Sequence, residues 1–173
     1  MAQIDVSQWR PFVIGDYFTL TKGKRLTRAD MIPGKYRFIG ASGINNGVTA
    51  EVANDEFLHK PHCLTLSYNG SVGEAFYQDE PFVASDDVNV IRAKQATMTK
   101  EAYLFVAAVL KVIGQRYAFI DKWTIDRMET DEIVLPATQD GQPDWEYMTE
   151  FMADILLTAE DRLQQLSTLV ADK

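Results

Sequence analysis

From Asp144 to about Ala171 the chain reads DWEYMTEFMADILLTAEDRLQQLSTLVA, and this stretch limits the possible folds more than any other. Apolar residues recur at Met148, Met152, Ile155 or Leu156, Ala159, Leu163, Leu166 and Val170, in alternating steps of three and four. Such spacing places one narrow stripe along one side of a helix, as in a coiled-coil seam. Glu150, Asp154, Glu160, Asp161 and Gln164 fall on the opposite face. Asp144 suits the N-cap position, and Glu146 complements the helix dipole in the first turn. Twenty-eight helical residues extend about 42 Å, longer than a helix that merely closes a small domain. A helix folded back on its own sheet is the plain alternative. The narrowness of the stripe favours a partner helix, with Met148, Met152, Leu156, Ala159, Leu163, Leu166 and Val170 as the expected dimer contacts.

Upstream the pattern is different. Short alternating runs separated by turn residues predict strands over Trp9–Ile14, Tyr17–Thr21, Lys35–Ile39, Val48–Val52, Cys63–Tyr68, Gly73–Tyr77, Pro81–Ala84 and Val88–Ala93. Gly15-Asp16, Pro33-Gly34 and Asn69-Gly70 supply turns between them. Thr99 is placed to cap a helix from Lys100 to Ile113, and Gly114 stands where a C-terminal glycine cap would. That helix is apolar nearly all round, so it is expected to lie buried against the sheet. Ile133 to Pro136 forms a further short strand. Asp140-Gly141 and Pro143 mark one internal boundary. The reading is an α+β chain: a β-rich domain with a buried helix over 1–142, then a long helix over 143–173.

Charge is distributed unevenly. The 173 residues carry net −8, yet 126–173 hold twelve acids against three bases, which leaves 1–125 close to neutral. Within that body, Lys22, Lys24, Arg25, Arg28, Lys35 and Arg37 oppose only Asp30, a local +5 over sixteen residues. The glycine- and amide-rich segment Gly40-Ala-Ser-Gly43-Ile-Asn45-Asn46-Gly47 follows directly. A cationic stretch leading into such a loop can hold phosphates and read base edges; it can equally be a solvated face and a hairpin. Tyr68, Asn69, Gly70, Ser71 and Gly73 form a second polar turn with the same ambiguity. Arg116, Lys122 and Trp123 are also open, although Trp123 suits a core better than a stacking platform. The expected DNA contacts are Lys22, Lys24, Arg25, Thr27, Arg28, Lys35, Arg37, Ser42, Asn45, Asn46, Asn69, Ser71 and Lys122.

Catalytic patterns are missing from the sequence. There is no phosphate-binding P-loop, no GxSxG, no HExxH and no paired-cysteine zinc motif. His59, His62 and Cys63 are the only cluster of metal-ligand types, and they lack a fourth ligand nearby. No cofactor is expected. The single cysteine excludes an internal disulfide and suits a reducing cytoplasm, and no apolar run is long enough to span a membrane.

The order of several loose motifs then becomes informative. Trp9-x-x-Phe12-x-Ile14-Gly15-Asp16-x-Phe18, Gly23-Lys24 and Gly34-x-Tyr36-x-Phe38-Ile39-Gly40-Ala41-Ser42 are followed by Asn45-Asn46-Gly47 and Asn69-Gly70-Ser71-x-Gly73-x-Ala75-Phe76-Tyr77. Phe82-x-Ala84, Asp87-Val88 and Ile133-x-Leu135-Pro136 complete the series. Together they resemble the target-recognition domain of type I restriction–modification specificity subunits, and similar domains occur in related type II systems. The resemblance implies a non-enzymatic subunit that binds double-stranded DNA and directs an adenine methyltransferase subunit, and in some systems a restriction subunit, to a bipartite site. Family members usually carry two recognition domains spaced by two long helices. One domain and one helix make this chain resemble half of such a subunit, which implies a homodimer. Two readings compete with this one: a small-molecule or carbohydrate-binding enzyme using the Asn/Gly loops and His59, His62 and Cys63, and a decoy that occupies the methyltransferase without reading DNA.

Overall fold

The computed structural model describes residues 4–117 and 122–169 with their side chains, and the helical backbone of 170 and 171. Its strands are β1 (Trp9–Val13), β2 (Phe18–Lys22), β3 (Pro33–Ile39), β4 (Val48–Val52), β5 (Leu58–His59), β6 (Cys63–Ser67), β7 (Ala75–Gln78), β8 (Phe82–Ala84), β9 (Val88–Ala93) and β10 (Glu132–Pro136). The helices are α1 (Ile14–Tyr17), α2 (Lys100–Gly114), α3 (Ile125–Thr130) and α4 (Trp145–Ala171). Two four-stranded sheets run in the orders β2-β9-β6-β7 and β4-β3-β8-β5, and β1 pairs with β10 as a separate ribbon. The α+β reading and the long terminal helix are both present.

The predicted turn at Gly15-Asp16 is instead the single helical turn α1. It turns the chain between two sheets, so β1 pairs with β10 and β2 with β9 rather than with each other. Gly15 is small for packing rather than for turning. A β-carbon there would lie 2.5 Å from the carbonyl oxygen of Glu129 in α3.

Helix α2 is buried as expected. Thr99 Oγ1 accepts a hydrogen bond of 3.1 Å from the amide of Ala102, capping its first turn. Ala102, Phe105, Val106 and Leu110 pack into the core that holds Leu64, Leu66 and Ile91 of the first sheet. Gly114 does not adopt the left-handed cap conformation. It lies inside the helix, and glycine is needed there because a β-carbon would fall 2.2 Å from the α-carbon of Gly73. The same core takes in Trp123, whose indole N–H donates to Asp131 Oδ2 at 2.5 Å, and Met128, Ile133 and Leu135. Along β10, Ile133 and Leu135 point inward while Val134 is exposed, the period-two alternation of a strand with one wet face.

Asp144 caps α4, its Oδ1 accepting from the Tyr147 amide at 2.9 Å. The first turns of this helix belong to the body. Trp145 meets Phe18 edge-on at 6.2 Å, Phe151 meets Phe105 at 5.8 Å, and Met148 is completely buried in the main core. Met148 is therefore corrected from a dimer contact to a core residue, because its own domain already covers it. Met152 and Leu156 are half-buried, and every described side chain from Leu157 onward is exposed. Ala159, Leu163 and Leu166 thus lie on a free stretch of helix, while Val170 falls outside the described side chains.

Candidate nucleic-acid interface

The C-terminal ends of β2, β3, β6 and β8 and the N-terminal ends of β7 and β9 meet at one edge of the two sheets. Pairing of Lys22 with Asn89, Ser67 with Val88 and Leu66 with Ala75 places those ends together. Parallel pairing of β3 with β8 brings Ile39 beside Ala84. Four loops therefore converge there: 23–25, 40–47, 68–74 and 85–87.

Backbone contacts fix this convergence. Ser85 N donates to Ile39 O at 2.9 Å, Lys24 N to Ala84 O at 2.9 Å, and Tyr68 N to Asp87 O at 3.2 Å. Gly23 lies so close to Ser85 that a β-carbon would come within 2.1 Å of its carbonyl oxygen. Any side chain at 23 would push the first basic loop off the edge.

Asp86 and Asp87 organise the polar side chains of the edge. Tyr68 Oη donates to Asp86 O at 2.7 Å, and Asn69 Nδ2 donates to Asp87 Oδ1 at 2.7 Å. Arg25 pairs with Asp86 at 3.5 Å, a largely exposed contact worth little in stability. Lys22 Nζ sits 5.3 Å from the centre of the Tyr68 ring. Its ammonium is held more basic than usual, first by the Tyr68 hydroxyl and then by the charges of Asp86 and Asp87. Sequence reasoning does not place Tyr68, Asp86 or Asp87 among the DNA contacts. Their role arises from strand pairing over long sequence separations, and two adjacent acids carry no local signal for it.

The sixteen-residue basic stretch does not form one patch. Lys22, Lys24 and Arg25 stand at the loop edge, but Lys35 lies at the opposite end of β3 with its Nζ 5.5 Å from the Tyr36 ring centre. Arg37 is bound to Asp79 at 2.8 Å and Glu80 at 3.2 Å, and this pairing holds the Asp79 carboxyl below its usual range. Arg37, expected as a DNA contact, is thus a charge paired with two exposed carboxylates. Thr27 likewise spends its hydroxyl on Asp30. Arg28 is exposed in the loop between β2 and β3, whose far part is tied down by Asn54 through Ile32 N at 3.0 Å and Asp30 O at 3.1 Å. Lys122 is exposed next to the buried Trp123.

The two predicted asparagines divide sharply. Both have positive φ, 52° at Asn45 and 53° at Asn46, which asparagine tolerates. Asn45 is exposed and donates only to Val48 O at 3.1 Å, within its own turn. Asn46 Nδ2 points inward, donating to Tyr77 O at 3.1 Å and to the buried Gln78 Oε1 at 3.3 Å. Gln78 returns a bond to Asn46 O at 3.1 Å. Asn46 is therefore corrected from a base-reading candidate to the residue that pins the loop to β7. Asn46→Ala is expected to cost about 2–3 kcal/mol, from backbone strain at positive φ and an orphaned buried acceptor on Gln78. Asn46→Gly should recover the strain component but not the hydrogen bonds, so urea unfolding of the two variants separates them. The Ser42 hydroxyl bonds around Ile44, and Ser71 gives its carbonyl to Glu74 N, so neither side chain is committed to the core.

The cluster of His and Cys comes apart in three dimensions. His59 stacks on Phe82 at 5.3 Å, while His62 Nδ1 lies 2.6 Å from the Tyr77 hydroxyl. Cys63 is fully buried, and burial pushes its thiol up to about 11. Arg92 fills the space alongside, donating to the carbonyls of Lys60, Pro61 and His62 at 2.6–3.1 Å. These residues pin the 60–62 loop, and the buried thiol is no nucleophile.

Residues 6–168 match the family model described as the type I restriction modification DNA specificity domain. The chain belongs to that family. It is 38% identical over 144 residues to the specificity subunit S.BcgI of a type II restriction enzyme from Heyndrickxia coagulans, covering 83% of this chain and 42% of the relative. The chain thus spans less than half the length of the curated relative it matches. Among solved structures, the type I restriction–modification S subunit from M. genitalium covers 94% of this chain and 44% of its own, with TM-score 0.57 and 18% identity. The HsdS subunit from Thermoanaerobacter tengcongensis covers 92% of this chain and 40% of its own, with TM-score 0.62 and 11% identity. A third, from a study of assembly and conformational transition in the type I system, has TM-score 0.65 at 13% identity, over 96% of this chain and 43% of its own. These structural likenesses show a shared fold.

Proposed function

We propose that this specificity domain reads double-stranded DNA for a restriction–modification system without doing chemistry itself. Two copies direct an adenine methyltransferase subunit, and a restriction subunit where one is present, to a bipartite site in the cytoplasm. The observation that carries this reading is the loop edge, where Lys22, Lys24 and Arg25 flank a row of short polar side chains. Ser42, Asn45, Asn69 and Ser71 are of the type that bonds to base edges and sugars, and the three cations are of the type that holds phosphates. The edge also carries Asp86 and Asp87. Carboxylates can accept from cytosine amino groups in the major groove, so both belong among the specificity candidates.

Family membership supports the same reading, since the matching model describes a DNA specificity domain. The enzyme alternative loses its residues: His59, His62 and Cys63 are each engaged in packing or loop anchoring. The decoy alternative shares the fold and separates from the proposal only by DNA binding.

Replacing Lys24 and Arg25 together by Ala is the direct test. Specific and non-specific duplex binding should weaken together, and the salt dependence should flatten by about one unit for each phosphate no longer neutralised. Wild-type affinity with an unchanged salt slope would move the contact surface away from this edge. Methylation mapping in cells that express the complex would then identify the recognised bases.

A further inference from the structure

The four loops that meet at the sheet edge carry three carboxylates, Glu74, Asp86 and Asp87. Two of them already brace the loops. Glu74 accepts from Lys111 of α2 at 2.8 Å, and Asp87 accepts from the Asn69 amide at 2.7 Å. The carboxylate of Asp86 has no such task. Tyr68 bonds the backbone carbonyl of Asp86, at 2.7 Å, and leaves the side chain out. The ion pair of Asp86 with Arg25 spans 3.5 Å, longer than a charge-assisted hydrogen bond, and the two side chains are 35% and 78% exposed. Lys22, Lys24 and Arg25 nearby suit phosphates, and a loosely held negative charge among them opposes those same phosphates. Such a group disfavours binding unless the duplex offers it a donor.

We infer that Asp86 determines specificity at one base pair, its carboxylate accepting a hydrogen bond from the 4-amino group of a cytosine in the major groove. The inference rests on the DNA reading proposed above. It deepens that reading by separating the two adjacent acids: Asp86 reads a base, and Asp87 positions Asn69. The chemistry selects the base. An ionised carboxylate is an acceptor only. Guanine and thymine present acceptors in that groove, and adenine sets its amino group beside the N7 acceptor. Cytosine offers the amino donor alone.

Arg25 completes the exchange. In the free domain it shields Asp86 loosely. On the duplex its guanidinium turns to a phosphate, and the cytosine amino group takes its place against the carboxylate. The 85–87 loop stays in position through its backbone, with Ser85 N bonded to Ile39 O at 2.9 Å and Tyr68 N to Asp87 O at 3.2 Å. Changing the Asp86 side chain therefore leaves the edge assembled.

Selection by the full chain from a pool of randomised duplexes compares the parent with Asp86→Ala and Asp86→Asn. The parent should enrich cytosine at one position of its half-site. Asp86→Ala should lose that preference by about tenfold, keep the other positions, and bind random duplex more tightly at low salt. Asp86→Asn should move the preference toward adenine, whose edge matches an amide. Pyrimidin-2-one in place of the selected cytosine removes only the 4-amino group. That duplex should bind the parent about tenfold more weakly and affect Asp86→Ala far less, as a direct contact requires. Equal losses in both proteins would overturn the inference, as would a cytosine preference that survives Asp86→Ala. A preference lost in Asp87→Asn but kept in Asp86→Asn would make Asp87 the reader and overturn it too. A parent that selects no sequence removes the functional reading, whereas a selected sequence with no position dependent on Asp86 removes only this inference.

Discussion

Replacing Gly114 by alanine is expected to destabilise the domain by on the order of 3 kcal/mol. Local reasoning gives the opposite sign, because alanine in a helix is favoured over glycine by roughly 1 kcal/mol. The added methyl group, however, would fall 2.2 Å from the α-carbon of Gly73 and 3.1 Å from its amide nitrogen. Both are backbone atoms, so no side-chain rotation relieves the clash. Gly73 cannot retreat freely, since its φ is 87° and its amide donates to Ser67 O at 2.9 Å. Either α2 shifts off the sheet, disturbing Leu110 and Ile113 in the core, or loop 68–74 moves and takes Asn69 and Ser71 from the loop edge. Chemical denaturation reads the stability loss. A variant as stable as the parent, or more so, would show that the crossing of helix and loop is not tight.

The second large effect concerns assembly. Leu163→Glu combined with Leu166→Glu is expected to give a monomer at micromolar concentration that no longer recognises a two-part site. Both side chains are mostly exposed in the single chain, so the substitutions leave the packing of the body untouched and should not impair its folding. In the proposed dimer the same carboxylates would be buried in apolar surroundings without partners, where ionised groups are strongly disfavoured. Light scattering and circular dichroism together decide the outcome: a monomer with unchanged secondary structure is expected. A variant that stays dimeric would place the interface elsewhere.

Much of the architecture is legible in the residues. The strand at Val88–Ala93, the Thr99 cap and the Asp144 cap all follow from residues within a few positions of each other, and each stands where the local pattern puts it. Trp123 reads as core rather than platform, and it is completely buried. Glycine is harder to read. At Gly15 and Gly114 the chain needs absence of bulk against a distant backbone, whereas the local pattern suggests a turn and a helix cap. A residue with no side chain serves both purposes, and only the neighbour tells them apart.

The candidate interface shows the same division. A run of cations and a loop of amides are visible in sequence, but their shared surface is not. Arg37 is paired at the surface by Asp79 and Glu80, and Asn46 is drawn inward by Gln78, groups 32 to 43 residues away. Asp86, Asp87 and Tyr68 enter because β9 lies between β2 and β6, an order of strands that no local pattern encodes. Sequence alone determined the periodicities, the caps, the long helix with its apolar stripe and the family resemblance, because these depend on neighbours along the chain. Tertiary structure alone decided which charges stay free, which glycines are steric, and where the stripe leaves the body, because each depends on groups brought together only by packing.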